Sequence, residues 1–281
     1  MSKPPVVWTI AGFDPSCGAG IAADLKTFSS LDCYGVACIT ALTVQNTLGV
    51  RRVEPVSVEL IRETLQALLE DLPPAAIKIG MLATAGIASA VADFLLALPQ
   101  PRCPVVLDPI LRSSSGADLL DPAGVQVLLA RLLPLATLVT PNRQEAAILT
   151  GLDAGDAEAA ASALRRFGAA AAVVTGGDAR ESETAPAQAG QKECNSEDVV
   201  AYGASGLELI ETLSAPRIAS SSTHGTGCAF SSAVACGLAR GQAIPLAVTS
   251  AKAFVRRAIE QAPGLGGGCG PLGLERHVDP E

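Results

Sequence analysis

The chain has 281 residues, 49% of them hydrophobic and only 17% charged, with a formal net charge of −8. That is enough apolar material for a sizeable core, yet no apolar run approaches the ~20 residues that span a bilayer. With no basic stripe to neutralise phosphates, the acidic balance argues against a nucleic-acid partner.

The opening residues MSKPPVVWTIAG lead almost directly into a strand-like run. They lack a charged segment followed by a long apolar one, so no signal peptide is expected. Eight cysteines are scattered and none forms CxxC. In a chain of this length that pattern predicts reduced thiols and a cytoplasmic location. Cys33, Cys38, Cys103 and Cys236 read as small buried hydrophobes. The pairs Arg51-Arg52, Arg165-Arg166 and Arg256-Arg257 read as solvated turns or helix faces.

In chain order, short runs rich in Val and Ile fall at 6–11, 36–44, 76–80, 104–108, 137–140 and 171–175. They are apolar throughout, as parallel strands buried on both faces are. Helical patterns fall between and after them, at 19–31, 57–71, 84–97, 122–133, 142–150, 156–167, 226–240 and 245–262. Repeated βα units predict an α/β fold: a central, mostly parallel β-sheet flanked by α-helices in three layers. The chain reads as a single domain over 1–263, with a polar exposed loop at 178–197 and a β-hairpin at about 198–213. A glycine-rich tail, 264–281, is expected to be mobile.

Polar or glycine residues sit past strand after strand: Gly12 to Asp14, Gln45-Asn46, Gly80-Met81, Asp108-Pro109, Pro141-Asn142 and Gly176-Gly177. Ligands of open α/β sheets bind beyond the carboxyl ends of the strands, so these positions predict one long cleft. The stretch STHGTGC opens a helix with Gly225-Thr226-Gly227. Glycines there free backbone N–H groups to meet a phosphate or a negatively charged transition state, with the helix dipole behind them. The same residues also read as an ordinary glycine loop capped by Ser222 or Thr223. Cys228 follows in the first helical turn, where a thiolate is favoured and a proton acceptor is placed; it reads equally as a small buried helix cysteine. Gly18-Ala-Gly20-Ile-Ala-Ala23 fits a dinucleotide fingerprint. It lies too far past its strand, however, and the second strand ends without an acidic residue. No Walker A sequence occurs, and with only two histidines and no clustered cysteines a zinc site is not expected. Asp108 and Glu145 are carboxylates available to Mg²⁺, though Glu145 equally suits a dipole partner in a first helical turn.

Taken together, AGFDPSCGAGIAADLKTF, ITALTVQNT, KIGMLAT, VVLDP, TPNRQEAAILTG and STHGTGC resemble the phosphomethylpyrimidine kinases of thiamine biosynthesis, in the ribokinase superfamily, from about Thr9 to Ala262. The resemblance implies a ribokinase-like fold. It also implies ATP- and Mg²⁺-dependent phosphorylation of a hydroxymethylpyrimidine, and in many members of its monophosphate. By motif it places Gly225, Thr226 and Gly227 as the anion hole and Cys228 as the base toward the substrate hydroxyl. It puts Gln45 with Val44, Asp24, Gly12 and Met81 at the pyrimidine. Asn142, Thr175 and Gly177, with Gly225 and Gly227, fall at ATP, and Asp108 and Glu145 at the metal. A homodimer is also implied. Thr175 stands where the family often has lysine, so a cation near the ATP phosphates is either absent or supplied from elsewhere. Pyridoxal kinase is the nearest rival reading. A catalytically inert pyrimidine-binding relative is a reading of another class.

Overall fold

The computed structural model describes residues 3–113, 116–177, 195–204 and 206–275. Nine strands form one sheet in the order β3-β2-β1-β4-β5-β6-β7-β8-β9. They are β1 (Val6–Phe13), β2 (Tyr34–Asn46), β3 (Gly49–Pro55), β4 (Ala76–Ile79), β5 (Val105–Leu107), β6 (Leu138–Val139), β7 (Ala172–Val174), β8 (Asn195–Tyr202) and β9 (Leu209–Pro216). The run from β2 to β7 is parallel. Antiparallel strands close both edges: β3 on β2, and β8 with β9 beyond β7. The helices are α1 (Gly20–Ser30), α2 (Val58–Asp71), α3 (Ala85–Ala97), α4 (Pro122–Val127), α5 (Arg143–Thr150), α6 (Ala157–Arg166), α7 (Thr226–Ala239) and α8 (Ile244–Glu260).

Strand alternation divides the core into two layers. Trp8, Ile10, Ile77 and Ile79 face α2 through α6 and meet Ile61, Leu65, Ile87, Leu149 and Leu164. Val7, Ala76, Val106 and Leu138 face the other way, toward α1, α7 and α8, and meet Phe28, Phe230, Val234 and Val248. The side-chain period of two along each strand is what sends neighbouring residues to opposite layers.

Five helices begin as their sequences predict. Ser57, Thr84, Asp121, Asn142 and Asp156 each accept a backbone N–H from the first turn of α2 through α6. Such caps contribute about 1 kcal/mol each. The helix predicted over 122–133 instead passes from α4 into a π turn (Leu128–Leu132) and a 3₁₀ turn (Leu133–Leu135). Pro134 has no N–H to continue the ladder, so the regular helix cannot run through it.

Several expectations need correction. Arg51-Arg52 form neither a turn nor a helix face: both lie on β3 and are exposed. β2 is not buried on both faces. It extends to Asn46, so Gln45 and Asn46 lie within the strand, and its far end forms a ribbon with β3 that exposes Leu42 and Val44. Arg165 is not a solvated helix residue, since it donates to Tyr202 O, Gly203 O and Glu208 and pins the β8–β9 hairpin. The loop predicted over 178–197 falls mostly outside the described residues, and its last three positions belong to β8.

The tail, as far as Glu275, packs against the body. Leu272 and Leu274 are buried beside Ala23, Ala229 and Ala258. Cys269 N donates to Thr47 O at the ribbon turn, Gly270 N to Ser221 O, and His224 N to Gly270 O. A Cβ on Gly268 would lie 2.1 Å from Thr47 O, so only glycine permits this close approach. Among the described residues no helix is long and apolar enough to cross a membrane.

Candidate active site

The first turns of α1 and α7 come together at the carboxyl edge of the sheet. Neither helix has a side-chain cap: Ala19 and Gly225 hold their N-cap positions. The Ser222 or Thr223 cap envisaged for α7 is therefore not made. Gly225 adopts φ 82°, and a Cβ there would lie 2.0 Å from Gly18 O. Gly20 has φ 56°, and its Cβ would lie 2.3 Å from Gly12 O. The glycines of the 18–23 motif thus serve packing between the β1 loop and the α7 loop, which explains the motif without a dinucleotide. A Cβ on Gly227 would meet open space, so the α7 amides border free volume. An uncapped helix end bordering free volume is an anion site in waiting.

Below this helix end lies a buried polar cluster. Lys78, in the middle of β4, and Asp24, on α1, are both fully buried, and Lys78 Nζ sits 3.0 and 2.9 Å from the two Asp24 oxygens. Thr9 Oγ1 donates to Asp24 Oδ2 at 2.6 Å and Ser232 Oγ to Oδ1 at 2.8 Å. With no exposed surface and four hydrogen bonds, Asp24 cannot touch a pyrimidine directly, which corrects its predicted place; it holds Lys78. Burial works against the lysine's charge, but Asp24, with Cys228 and Asp108 adding, holds its pKa above the ordinary value.

Cys228 and Asp108 share this cluster. Burial pushes the Cys228 thiol up to about 12, against the pull of Lys78 and a backbone bond with Gly20. The thiolate expected from the helix position is therefore not the resting form, because desolvation outweighs the helix end. Burial also lifts Asp108 to about 6, with Lys78 and a Ser231 hydrogen bond opposing it. Ser231 Oγ lies 3.0 Å from Asp108 Oδ2 and ties it to α7.

On the ribbon side, Gln45 reaches across to the α7 loop, its Nε2 3.2 Å from His224 Nε2. His224 Nε2 is also 2.8 Å from Asp14 Oδ2. Gly12 and Met81 touch: a Cβ on Gly12 would meet the Met81 sulfur at 2.8 Å. Met81 is buried with Ala41 and Leu119. Val44, next to Gln45, is exposed.

On the other side, Asn142 and Glu145 form a capping box, with Asn142 Oδ1 accepting Glu145 N and Glu145 Oε2 accepting Asn142 N at 3.0 Å. Glu145 Oε1 also accepts Leu111 N at 3.4 Å, from the loop after Asp108. Glu145 therefore does serve its helix's first turn. Thr175 bridges to Asn142, and Thr175 N donates to Pro141 O. Gly176 N donates to Asp198, which pairs with Lys252 at 2.7 Å. Arg217, just past β9, donates to Gly177 O at 2.9 Å and Gly176 O at 3.1 Å.

Lys78, His224 and Arg217 were not singled out by the sequence reading, and Asp14 was named only among the polar positions past the first strand. A lysine inside the apolar run AIKI was the one local signal available. Arg217 lies far along the chain from Gly176 and could be placed only by the hairpin's path.

A helix end without a side-chain cap thus stands at the carboxyl edge of a parallel sheet, above a buried lysine and two carboxylates, and the three-layer architecture is that of a ribokinase-like α/β phosphotransferase. The chain belongs to the phosphomethylpyrimidine kinase family, whose model matches residues 14–273. It is 40% identical over 272 residues to the hydroxymethylpyrimidine/phosphomethylpyrimidine kinase of Streptomyces coelicolor, covering 96% of this chain and 94% of that one. It is 40% identical to the thiamine biosynthesis bifunctional protein ThiED of Geobacter sulfurreducens, covering 95% of this chain and 51% of that protein. The solved structure of pyridoxal kinase from Staphylococcus aureus in complex with AMP-PCP and pyridoxal superposes with a TM-score of 0.82 at 32% identity, covering 96% of this chain and 94% of that one.

Proposed function

We propose that this kinase transfers phosphate from ATP to 4-amino-5-hydroxymethyl-2-methylpyrimidine and to its monophosphate, in thiamine biosynthesis. The observation that carries the reading is the placement of Gln45 beside His224, directly ahead of the open N-terminus of α7. A ring-reading amide and an anion-binding helix end are thereby neighbours, as transfer to a hydroxymethyl group on a ring requires. Gln45, Gly12 and Met81 hold the pyrimidine: the amide reads its edge, and the thioether packs on its face. Val44 contributes to the rim and Asp24 acts only through Lys78.

The amides around Gly225, Thr226 and Gly227 stabilise the phosphoryl group as the substrate hydroxyl oxygen bonds to phosphorus and the bond to ADP breaks. Cys228 takes the hydroxyl proton. Its ionisation in the free protein is opposed first by burial and then by Asp108 and Asp24, and helped by Lys78, so positive charge brought beside Asp108 with the reactants favours the thiolate that accepts the proton. Asn142, Thr175 and Gly177 line the nucleotide. Arg217 supplies, from β9, the cation that Thr175 does not.

Asp108 and Glu145 would hold Mg²⁺. Burial lifts the Asp108 carboxylate to about 6 against the pull of Lys78, and a bound cation would offset that burial further. Mg²⁺ typically takes one or two carboxylates and keeps several waters, a role that Asp108 and Glu145 would fill. When bound, Mg²⁺ would neutralise phosphate charge.

We further infer a cytoplasmic homodimer; the apolar Leu42, Val44 and Leu48 on the β2–β3 ribbon support the association. Pyridoxal kinase remains the rival because of the solved neighbour. The higher identity to the Streptomyces enzyme, with Gln45 and Met81 in contact with the site, favours the pyrimidine. An inert binder is disfavoured by the retained Cys228, Asp108 and Glu145. A product assay with Mg·ATP and, separately, the pyrimidine, its monophosphate and pyridoxal tests the reading. Conversion of both pyrimidines is expected, and conversion of pyridoxal alone would overturn it.

A further inference from the structure

Asp14 fixes the hydrogen-bonding sense of the whole His224–Gln45 contact. It is 3% exposed. Its Oδ1 accepts Ser16 N and Ser16 Oγ, each at 2.8 Å, and its Oδ2 accepts Ala19 N at 2.9 Å. Burial alone would raise its pKa, but the bonds from His224 and Ser16 hold it below the ordinary value, so the carboxylate is ionised. An ionised carboxylate only accepts. At 2.8 Å from Asp14 Oδ2, His224 Nε2 must therefore carry its hydrogen. A nitrogen that carries hydrogen has no lone pair for the amide NH₂ of Gln45, 3.2 Å away. The ring lies close over Gly18, where an added Cβ would come within 2.3 Å of its Cδ2, and the backbone beneath it is anchored by His224 N donating to Gly270 O.

We propose that His224 is a positioning residue that sets the orientation of the Gln45 amide: Nε2–H of the ring is shared between Asp14 and Gln45 Oε1, and the Gln45 NH₂ is left to donate to the substrate. Gln45 is then in the sense opposite to two donors facing one another, a choice that the hydrogen-bond network decides and heavy-atom shape does not. The ligand edge selected is one that offers a lone pair, such as a ring nitrogen, to that NH₂. A ring presenting only a hydrogen at that place is rejected, because the donor would be left unpaired. The inference rests on Gln45 reading the substrate ring.

The test compares Gln45→Ala, Gln45→Glu, His224→Leu and His224→Gln, with KM for the pyrimidine, KM for ATP, kcat and the thermal midpoint measured for each. Gln45→Glu keeps an acceptor for His224 but removes the donor, so it is expected to raise the pyrimidine KM at least about tenfold, as Gln45→Ala does, with the KM for ATP unchanged. His224→Leu is expected to raise the pyrimidine KM by a similar factor. His224→Gln, whose NH₂ reaches both partners, is expected to restore most of it. Gln45→Glu binding the pyrimidine as tightly as the parent protein would overturn the orientation. A loss in Gln45→Ala with none in His224→Leu would overturn the role of His224 alone. No effect of Gln45→Ala would instead remove the substrate-site reading on which the inference stands. Gln45 lies half-exposed on the ribbon, so its two variants report even if a His224 variant fails to fold.

Discussion

Lys78 and Asp24 form an ion pair with no exposed surface, joining the middle of β4 to α1 directly beneath the open end of α7. Replacing a buried pair by apolar residues is often tolerated, whereas removing one partner leaves an uncompensated charge. Lys78→Met or Asp24→Asn should each destabilise the protein, with Lys78→Met costing about 3–5 kcal/mol in denaturant unfolding. The double change Lys78→Met with Asp24→Leu should recover a large part of that. A double variant no more stable than Lys78→Met would show that the charges are not the source of the loss.

Cys228→Ala should lower kcat by at least about a hundredfold, the scale of general-base catalysis, with pyrimidine affinity by calorimetry little changed. Near-normal turnover in that variant would remove the cysteine from the proton transfer.

The raised pKa of Cys228 has a direct chemical readout. A group whose pKa is raised holds its proton to higher pH, so at pH 9, where an ordinary thiol is about half ionised, roughly one Cys228 in a thousand is a thiolate. In the ligand-free protein its alkylation, followed by mass spectrometry of the Cys228 peptide, should keep rising about tenfold per pH unit above pH 9. A plateau near pH 9 would contradict the burial argument.

Arg217→Ala should raise the KM for ATP by about tenfold, the scale of one charge-assisted contact. The pyrimidine KM should change little, and Arg217→Lys should recover only part of the loss because its ammonium cannot bridge the carbonyls of Gly176 and Gly177 together. An unchanged ATP KM would place the nucleotide phosphates elsewhere.

Gly225→Ala combines a left-handed backbone with a 2.0 Å approach to Gly18 O. It should abolish measurable turnover while leaving the helical signal by circular dichroism intact, since the clash is confined to the junction of two loops.

Much of this molecule could be read from its residues. The buried parallel strands declare themselves as Val- and Ile-rich runs, and Ser57, Thr84 and Asn142 announce their helices by capping chemistry. The glycine end at Gly225 stands out by its two glycines, but that neither Ser222 nor Thr223 caps it is seen only in the structure. What could not be read depended on contacts between distant segments. Asp24 stands at the pyrimidine by resemblance until Lys78 of β4 is found paired with it inside the protein. Cys228 looks activated by its helix until its burial is known. β3 escapes because its pair of exposed arginines hides an edge strand that, among the described residues, pairs with β2. Arg217 and Gly176 are neighbours only because β8 and β9 return to the sheet.

The glycine-rich segment near the C-terminus bears on how the enzyme is made. Thr47 receives its bond from Cys269, and Ser221 receives its bond from Gly270. During synthesis the ribbon that carries Gln45 emerges well before the segment that seats it against the α7 loop, which follows α8. The nascent chain can therefore complete its sheet well before the ribbon and the α7 loop are locked together, and any activity that depends on that junction waits for the segment around Gly268 to Gly270.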